Sequence, residues 1–344
     1  MIDESVAIYG AGNFGRWVVE TLTRLGHRVP TILDRNFDNH RDTSVSDPKE
    51  WIPDTRQLVL ALFSPGPDLR ALVRQYPKFE SLELITAPSL FRYLRGKGIE
   101  TSRYWLSSDR LAPVRNDQTR QVLANIVDER SMELASSWLR FSEFGGLDSL
   151  VDPSPLHDQY CGPNGEYLPD SGVILDCGAY VGDSLSAWAR NRSSNLRIVA
   201  FEPNSDAFRQ LSKRAATARN ETITLPLGVT DESGQFTVLG SGVSSRLTKD
   251  PQGSVHGCAL DDVVQGLPVS FIKMDIEGGE LDALRGAFTT IKRWRPTLAI
   301  SVYHRPEDLL TIPLWVHRQF PGYEISLECY AHQYFESVMY ARAR

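Results

Sequence analysis

Residues 173–183 read VILDCGAYVGD, an apolar run that breaks on Asp176 and then passes through Gly178 and Gly182. The pattern predicts a strand feeding a glycine loop that opens a helix, the arrangement by which open α/β sheets hold nucleotides. The spacing of this loop bears on the ligand. Gly178 and Gly182 are separated by Ala179, Tyr180 and Val181, and Asp183 opens the helix. Two carboxylates beside the loop disfavour a pyrophosphate, because like charges so close are costly. A ligand carrying a cationic amine and a sulfonium, as S-adenosylmethionine does, suits it better. Glu202 follows Gly182 by 20 residues at the end of RIVAFE, where a carboxylate can accept hydrogen bonds from ribose hydroxyls.

A second glycine loop lies near the start of the chain. IYGAGNFGR from Ile8 places Gly10, Gly12 and Gly15 in G-x-G-x-x-G spacing, and Asp34 follows Gly15 by 19 residues. This is the dinucleotide fingerprint in its strand–loop–helix setting, with pyrophosphate on bare N–H groups and the acid on ribose. It makes Gly10, Gly12 and Gly15 a candidate seat for a nucleotide or sugar nucleotide. No evident catalytic acid, base or Tyr-x-x-x-Lys pair follows this loop, which argues against a nicotinamide-dependent oxidoreductase or epimerase.

Around these loops the chain divides into three parts. Residues 1–98 carry short apolar runs at 5–9, 31–33, 58–63 and 82–85 with helical spacing between them, predicting a small Rossmann-like α/β domain of about four strands. Residues 99–155 read as a helical connector, with Val122, Ile126, Leu134, Trp138, Leu139 and Phe141 at largely helical spacing before Gly145-Gly146 and prolines. Residues 156–344 alternate again, with strands expected at 173–176, 197–202, 222–227, 269–275 and 297–303 and a hairpin return near 323–340.

Composition excludes several classes. The 344 residues are 41 % apolar with a net charge of −6, an ordinary globular balance without a positive surface for nucleic acid. Cys161, Cys177, Cys258 and Cys329 show no CxxC pairing, so neither a zinc site nor a disulfide framework is expected, and a reducing cytoplasm fits best. No stretch has the length and apolarity of a membrane span, and the first residues lack the pattern of a signal peptide.

A third constellation is FIKMDIEGGEL at 271–281. Strand alternation puts Lys273, Asp275 and Glu277 on one side, and Gly278-Gly279 lets the chain turn into a helix. Charges ending a central apolar strand are expensive unless they serve a site at the carboxyl edge of the sheet. A structural alternative is a satisfied Lys–Asp pair plus a helix-start acid.

Taken together, ILDCGAYVGDS, AFEPNSDAF, the LDD at 260–262, IKMDIEGGELDALRGA and PTLAISVYHRPEDL resemble the FkbM family of S-adenosylmethionine-dependent methyltransferases, over about residues 156–340. The N-terminal unit and connector resemble a two-domain subgroup. The resemblance implies a class I methyltransferase sheet of seven strands, the last antiparallel, and methyl transfer to oxygen, mostly on sugar hydroxyls of glycans and natural products. It implies that Asp176, Gly178 and Gly182 hold the methionine part of the cofactor and Glu202 its ribose, with Ala179, Tyr180 and Asp183 also among the cofactor-binding residues. Pro203 and Asn204 would lie along the adenosine, with Gly228 and Val229 at the adenine edge and Asp275 also beside the cofactor. On this reading His304 is favoured as general base. Asp275 positions the acceptor or shares a divalent cation with Glu277, and Lys273 pairs with a nearby carboxylate. Val302 stands where the family often has an acid two residues before the histidine. Ser244-Ser245, Tyr160 and Tyr303 are candidates for contact with the acceptor. A non-catalytic sugar-nucleotide sensor is the remaining alternative; it would show loss of Glu202 or Asp275, and both are present.

Overall fold

The computed structural model describes residues 1–39, 44–101, 104–107, 117–191, 196–239 and 246–343. They form two compact units: Met1–Pro113 with Leu134–Asp152 and Ala331–Phe335, and Val114–Glu133 with Pro153–Tyr330 and Glu336–Arg344. The segment expected to be a separate connector is therefore divided between them.

The first unit begins with β1 (Ala7–Tyr9), α1 (Asn13–Arg24), β2 (Ile32–Leu33), β3 (Val45–Ser46) and β4 (Gln57–Leu60). It continues with α2 (Leu69–Gln75), β5 (Glu83–Ile85) and α3 (Ala87–Gly96). The strands are all parallel in the order β3-β2-β1-β4-β5, five rather than the four expected, because β3 is too short to show a periodic pattern. Val6, Ile8, Val18, Leu22, Val59 and Leu90 are fully buried between the sheet and its helices.

The helical pattern at 117–144 resolves into α4 (Asp117–Ile126) and α5 (Glu129–Phe144). Asp128 makes the break: its Oδ1 accepts the Ser131 N–H at 2.8 Å, capping a new helix start instead of continuing the old one.

The second unit runs β6 (Gly172–Cys177), α6 (Asp183–Asn191), β7 (Leu196–Phe201), α7 (Ser205–Ala215) and β8 (Glu221–Leu225). After these come β9 (Leu227–Val229), β10 (Gly234–Leu239), β11 (Arg246–Lys249), β12 (Val255–Cys258), α8 (Leu260–Val263) and β13 (Val269–Met274). The unit ends with α9 (Glu280–Arg285), α10 (Phe288–Trp294), β14 (Thr297–Ser301), α11 (Asp308–Gln319), β15 (Tyr323–Cys329) and β16 (Ser337–Ala343). Its main sheet has seven strands in the order β15-β16-β14-β13-β6-β7-β8, with β16 antiparallel to both neighbours and the other pairs parallel. This is the class I methyltransferase topology expected from the resemblance. A four-stranded side sheet, β11-β10-β12-β9, fills residues that the sequence pattern left unassigned, because glycines and half-exposed positions blur its alternation.

The strand order reverses between β6 and β13. From β6 the chain builds outward to β7 and β8, then returns to β13 on the other side, leaving a crevice beyond the carboxyl ends of both strands. Fully or almost fully buried Trp188, Phe201, Phe271 and Leu211 support this edge from below. All four cysteines are buried and unbridged. Among the described residues no helix is long and apolar enough to cross a membrane.

Candidate active site

The loop after β6 is shaped by its two glycines. Gly178 and Gly182 have φ of 76° and 84°, a region that side chains disfavour. A Cβ on Gly178 would lie 1.8 Å from the Asp275 carbonyl oxygen, so the loop presses directly on the chain leaving β13. The N–H groups of Gly178 and Ala179 both donate to the Phe201 carbonyl at 3.0 Å, tying the loop to the end of β7 as well.

Pairing register sets Lys273 of β13 directly beside Asp176 of β6. The ammonium lies 3.1 Å from Asp176 Oδ1, donates to the Gly178 carbonyl at 2.6 Å and sits 5.1 Å from the centre of the Tyr160 ring. Burial pulls its pKa down, but Asp176 first, then Asp275 and Asp183, outweigh that and hold it well above the ordinary lysine value. Ser184 Oγ donates to the other oxygen of Asp176 at 2.5 Å. Asp176 is fully buried, so its charge is neutralised inside the sheet edge and does not face the crevice. Lys273 has the structural pairing the sequence suggested. Of the two carboxylates read beside the loop, Asp183 is the one exposed to solvent.

Glu202 is 6 % exposed and receives two backbone hydrogen bonds, from Tyr180 N–H to Oε2 at 2.9 Å and from Asn204 N–H to Oε1 at 2.7 Å. Burial raises its pKa, and those two bonds act in the opposite direction. Each oxygen keeps a second lone pair for a ribose hydroxyl. With one exposed acid beside a tight glycine turn and a carboxylate holding spare acceptor capacity, these residues fit S-adenosylmethionine. Two weaker assignments receive local explanations. Asn204 Oδ1 accepts the N–H groups of Asp206 and Ala207, both at 3.0 Å, and so caps α7 next to the half-buried Pro203. Gly228 and Val229 pair with Gly257 and Cys258 inside the side sheet, where a Cβ on Gly228 would meet Leu247 at 2.0 Å.

On the other side of the crevice, β13 ends and the chain turns through Asp275, Glu277 (φ 59°) and Gly278 (φ 96°) into α9. His304, just beyond β14, points into that turn. Its Nδ1 donates to Glu280 Oε1 at 2.8 Å, while Nε2 lies 3.3 Å from Asp275 Oδ1 and 3.7 Å from Glu277 Oε2. Glu280 Oε1 also accepts the N–H groups of Ile276 and Gly278 at 2.9 and 3.3 Å. Tyr160 OH donates to Asp275 Oδ2 at 2.8 Å and contacts Ser301 Oγ at 3.0 Å. The Tyr303 ring stands 4.3 Å from the imidazole, and its hydroxyl donates to Glu336 at 3.2 Å.

The charges in this cluster shift one another. Burial works against a protonated His304, yet Glu280 and Asp275 outweigh it and raise its pKa well above the ordinary value. Asp275 is pushed up by burial and pulled further down by His304, Lys273 and Tyr160, so it stays ionised. Glu277 is raised to about 7 by burial, with Asp275 and Glu280 adding to the shift and His304 opposing it. His304, favoured from the sequence as base, is thus surrounded by groups that keep a proton on it.

Residues 176–325 match the methyltransferase FkbM domain family. This part of the chain is similar to that family. The chain is 26 % identical over 128 residues to the hexuronic acid methyltransferase AglP of Haloferax volcanii, covering 35 % of this chain and 52 % of that protein. It thus spans about half the length of that curated relative. It also superimposes on the crystal structure of methyltransferase FkbM from Methylobacillus flagellatus KT with a TM-score of 0.72 and 20 % identity. That match covers 98 % of this chain and 90 % of the other, so the two share their fold.

Within the FkbM domain, sequence reasoning missed Glu280. The second acid of EGGEL reads as a helix-start charge, yet it is fully buried and orients His304. Val302, at the position where the family often has an acid, is fully buried core. Ser244-Ser245 lie outside the described residues. At the N-terminal loop, a Cβ on Gly15 would fall 1.8 Å from the Gly10 carbonyl oxygen and one on Gly10 2.7 Å from that of Ala61. Asp34 accepts the Ala11 and Asn36 N–H groups, each at 2.8 Å. Packing and turn geometry therefore explain Gly10, Gly15 and Asp34, while Gly12 faces open space.

Proposed function

We propose that this chain transfers a methyl group from S-adenosylmethionine to a hydroxyl of a sugar, in a glycan or a glycosylated natural product. The observation that carries this reading is the contact between the Gly178 loop and Asp275, which sets the donor side of the crevice against the acidic cluster. The FkbM domain supports the donor, and similarity to a hexuronic acid methyltransferase supports the acceptor class.

When bound, S-adenosylmethionine supplies an electrophilic methyl group on a sulfonium. Glu202 would hold its ribose hydroxyls through its free lone pairs, and the loop from Gly178 to Gly182 would lie along its amino-acid part. Asp275 and Glu277, with side chains 25 % and 29 % exposed, face an incoming acceptor. Holding a hydroxyl in line is worth up to about 7–11 kcal/mol, more than the roughly 10²–10⁴-fold a base adds. Glu277 is the more open of the two carboxylates and takes the hydroxyl proton. His304, already paired through Nδ1, steadies both acids.

Calorimetric titration with S-adenosylmethionine tests the donor half. Hydrogen bonds to a charged group contribute about 1.5–3 kcal/mol each, so Glu202→Ala should bind one to a few powers of ten more weakly. Equal affinity for parent and variant would remove the cofactor assignment. Incubation with hexose and uronic-acid glycosides, read by mass spectrometry, tests the acceptor half. Methylation of none of them would count against the sugar reading.

A further inference from the structure

We infer that Asp275, Glu277 and His304 form a binding site for a divalent cation at the mouth of the crevice. Its role in catalysis, to hold the acceptor's oxygen atoms, rests on the methyl-transfer reading; the site itself rests on geometry. The Nδ1–H of His304 donates to Glu280, so Nε2 is the nitrogen that ligates once a cation displaces the proton the surrounding acids otherwise keep there. A carboxylate fixing the far nitrogen of a histidine is the usual support of a metal-binding imidazole. Glu280 is suited to that task because it is fully buried and is itself held by the Ile276 and Gly278 N–H groups.

The Nε2 atom is buried and makes no hydrogen bond, although the side chain is only 7 % exposed. It faces Asp275 Oδ1 at 3.3 Å and Glu277 Oε2 at 3.7 Å. A metal with bonds of about 2.1 Å separates neighbouring ligand atoms by roughly 3.0 Å in an octahedron and roughly 3.4 Å in a tetrahedron. The observed spacings lie within a few tenths of an ångström of the tetrahedral value, and the half-open Glu277 arm can supply the difference. Charge favours the same occupant. A proton on Nε2 offsets one of the three surrounding carboxylates, whereas a dication on the neutral ring offsets two. One imidazole with two carboxylates at this spacing suits a first-row divalent cation of the zinc, iron or manganese type.

Manganese(II) alone is the probe. Titration of the full chain, followed by electron paramagnetic resonance, should show one saturable site, and pulsed spectra of the bound ion should carry coupling to a single nitrogen. Asp275→Asn and His304→Gln should each weaken binding at least about tenfold. Glu280→Gln, which removes only the support, should weaken it about 10–100-fold. Glu277→Gln, the most exposed position, keeps the comparison available if the buried variants do not fold. Absence of saturable binding, a bound ion without nitrogen coupling, or folded variants that bind as the parent does would each overturn the site. Donor titration on the same samples separates the two readings. Donor binding without manganese binding overturns the cation site alone. Manganese binding without donor binding upholds the site and removes the methyl-transfer reading.

Discussion

Lys273 shows how a single side chain can look catalytic while holding a site together. It is 3 % exposed, and its ammonium is shared between Asp176 and the Gly178 carbonyl. Replacing it with methionine keeps much of the volume but strands the buried Asp176 carboxylate. Breaking one partner from a buried pair typically costs about 3–5 kcal/mol, so Lys273→Met should lower the urea midpoint by a corresponding amount. An unchanged midpoint would mean that Asp176 has found another partner. Glu202 gives a prediction in pH. Its pKa is raised by burial, and under the proposed function the charged form is the one that would accept from the ribose hydroxyls. Donor affinity should be full above that raised value and fall as pH drops through it, so the loss begins at a higher pH than for an ordinary glutamate. Calorimetry from neutral to acidic pH reads this directly, and affinity constant down to the ordinary carboxylate range would contradict it.

Glycine loops are elements whose sequence pattern is clear and whose purpose is not. Both loops were legible as strand–loop–helix units, because an apolar run, glycines and helical spacing leave few alternatives. What the pattern could not show is why each glycine is there. The Gly15 position has a carbonyl oxygen where its Cβ would go, whereas Gly12 caps α1 from an ordinary conformation, φ −68° and ψ −172°, with open space around it. Gly15→Ala should therefore destabilise the first unit by about 1–3 kcal/mol through overpacking. Gly12→Ser should be neutral or stabilising by about a few tenths of a kcal/mol, because serine is a slightly better N-cap than glycine. Thermal unfolding of both variants settles the contrast, and equal losses would contradict it. Other elements were hidden for definite reasons. Strand β3 has two residues, too few for a period, and the side sheet mixes glycines with half-exposed positions. Asp176 read as a ligand-facing acid because the apolar run breaks on it beside the glycine loop, but only the register with β13 reveals that Lys273 meets it. Glu280 stayed hidden because its partner, His304, lies 24 residues away.

At the scale of the whole chain, the strand order followed from the family resemblance, but the division into units did not follow from sequence composition. Residues Val114–Glu133 are counted with the second unit, and specific bonds fasten them to it. Ser131 Oγ accepts the Leu327 N–H at 2.7 Å, Arg130 meets Glu328 at 3.0 Å, and Val127 bridges to Ile325. These contacts cover the edge of β15, which would otherwise present open backbone groups. A fragment of residues 156–344, cut where the sequence suggests a boundary, should be less stable and aggregate more readily than one of residues 114–344. Light scattering and thermal unfolding of the two fragments test this; equal behaviour would show that β15 needs no cover.

The contact between Gly178 and the Asp275 carbonyl has a thermodynamic consequence. At Gly178 itself no side chain separates the loop from the Asp275 carbonyl, so at that point there is nothing to absorb a displacement of either one. A change that moves the donor loop must move the turn carrying the acids. Donor and acceptor affinities are therefore linked quantities: substitutions along this seam should alter both together, and occupancy of one side should be felt as a changed dissociation constant on the other.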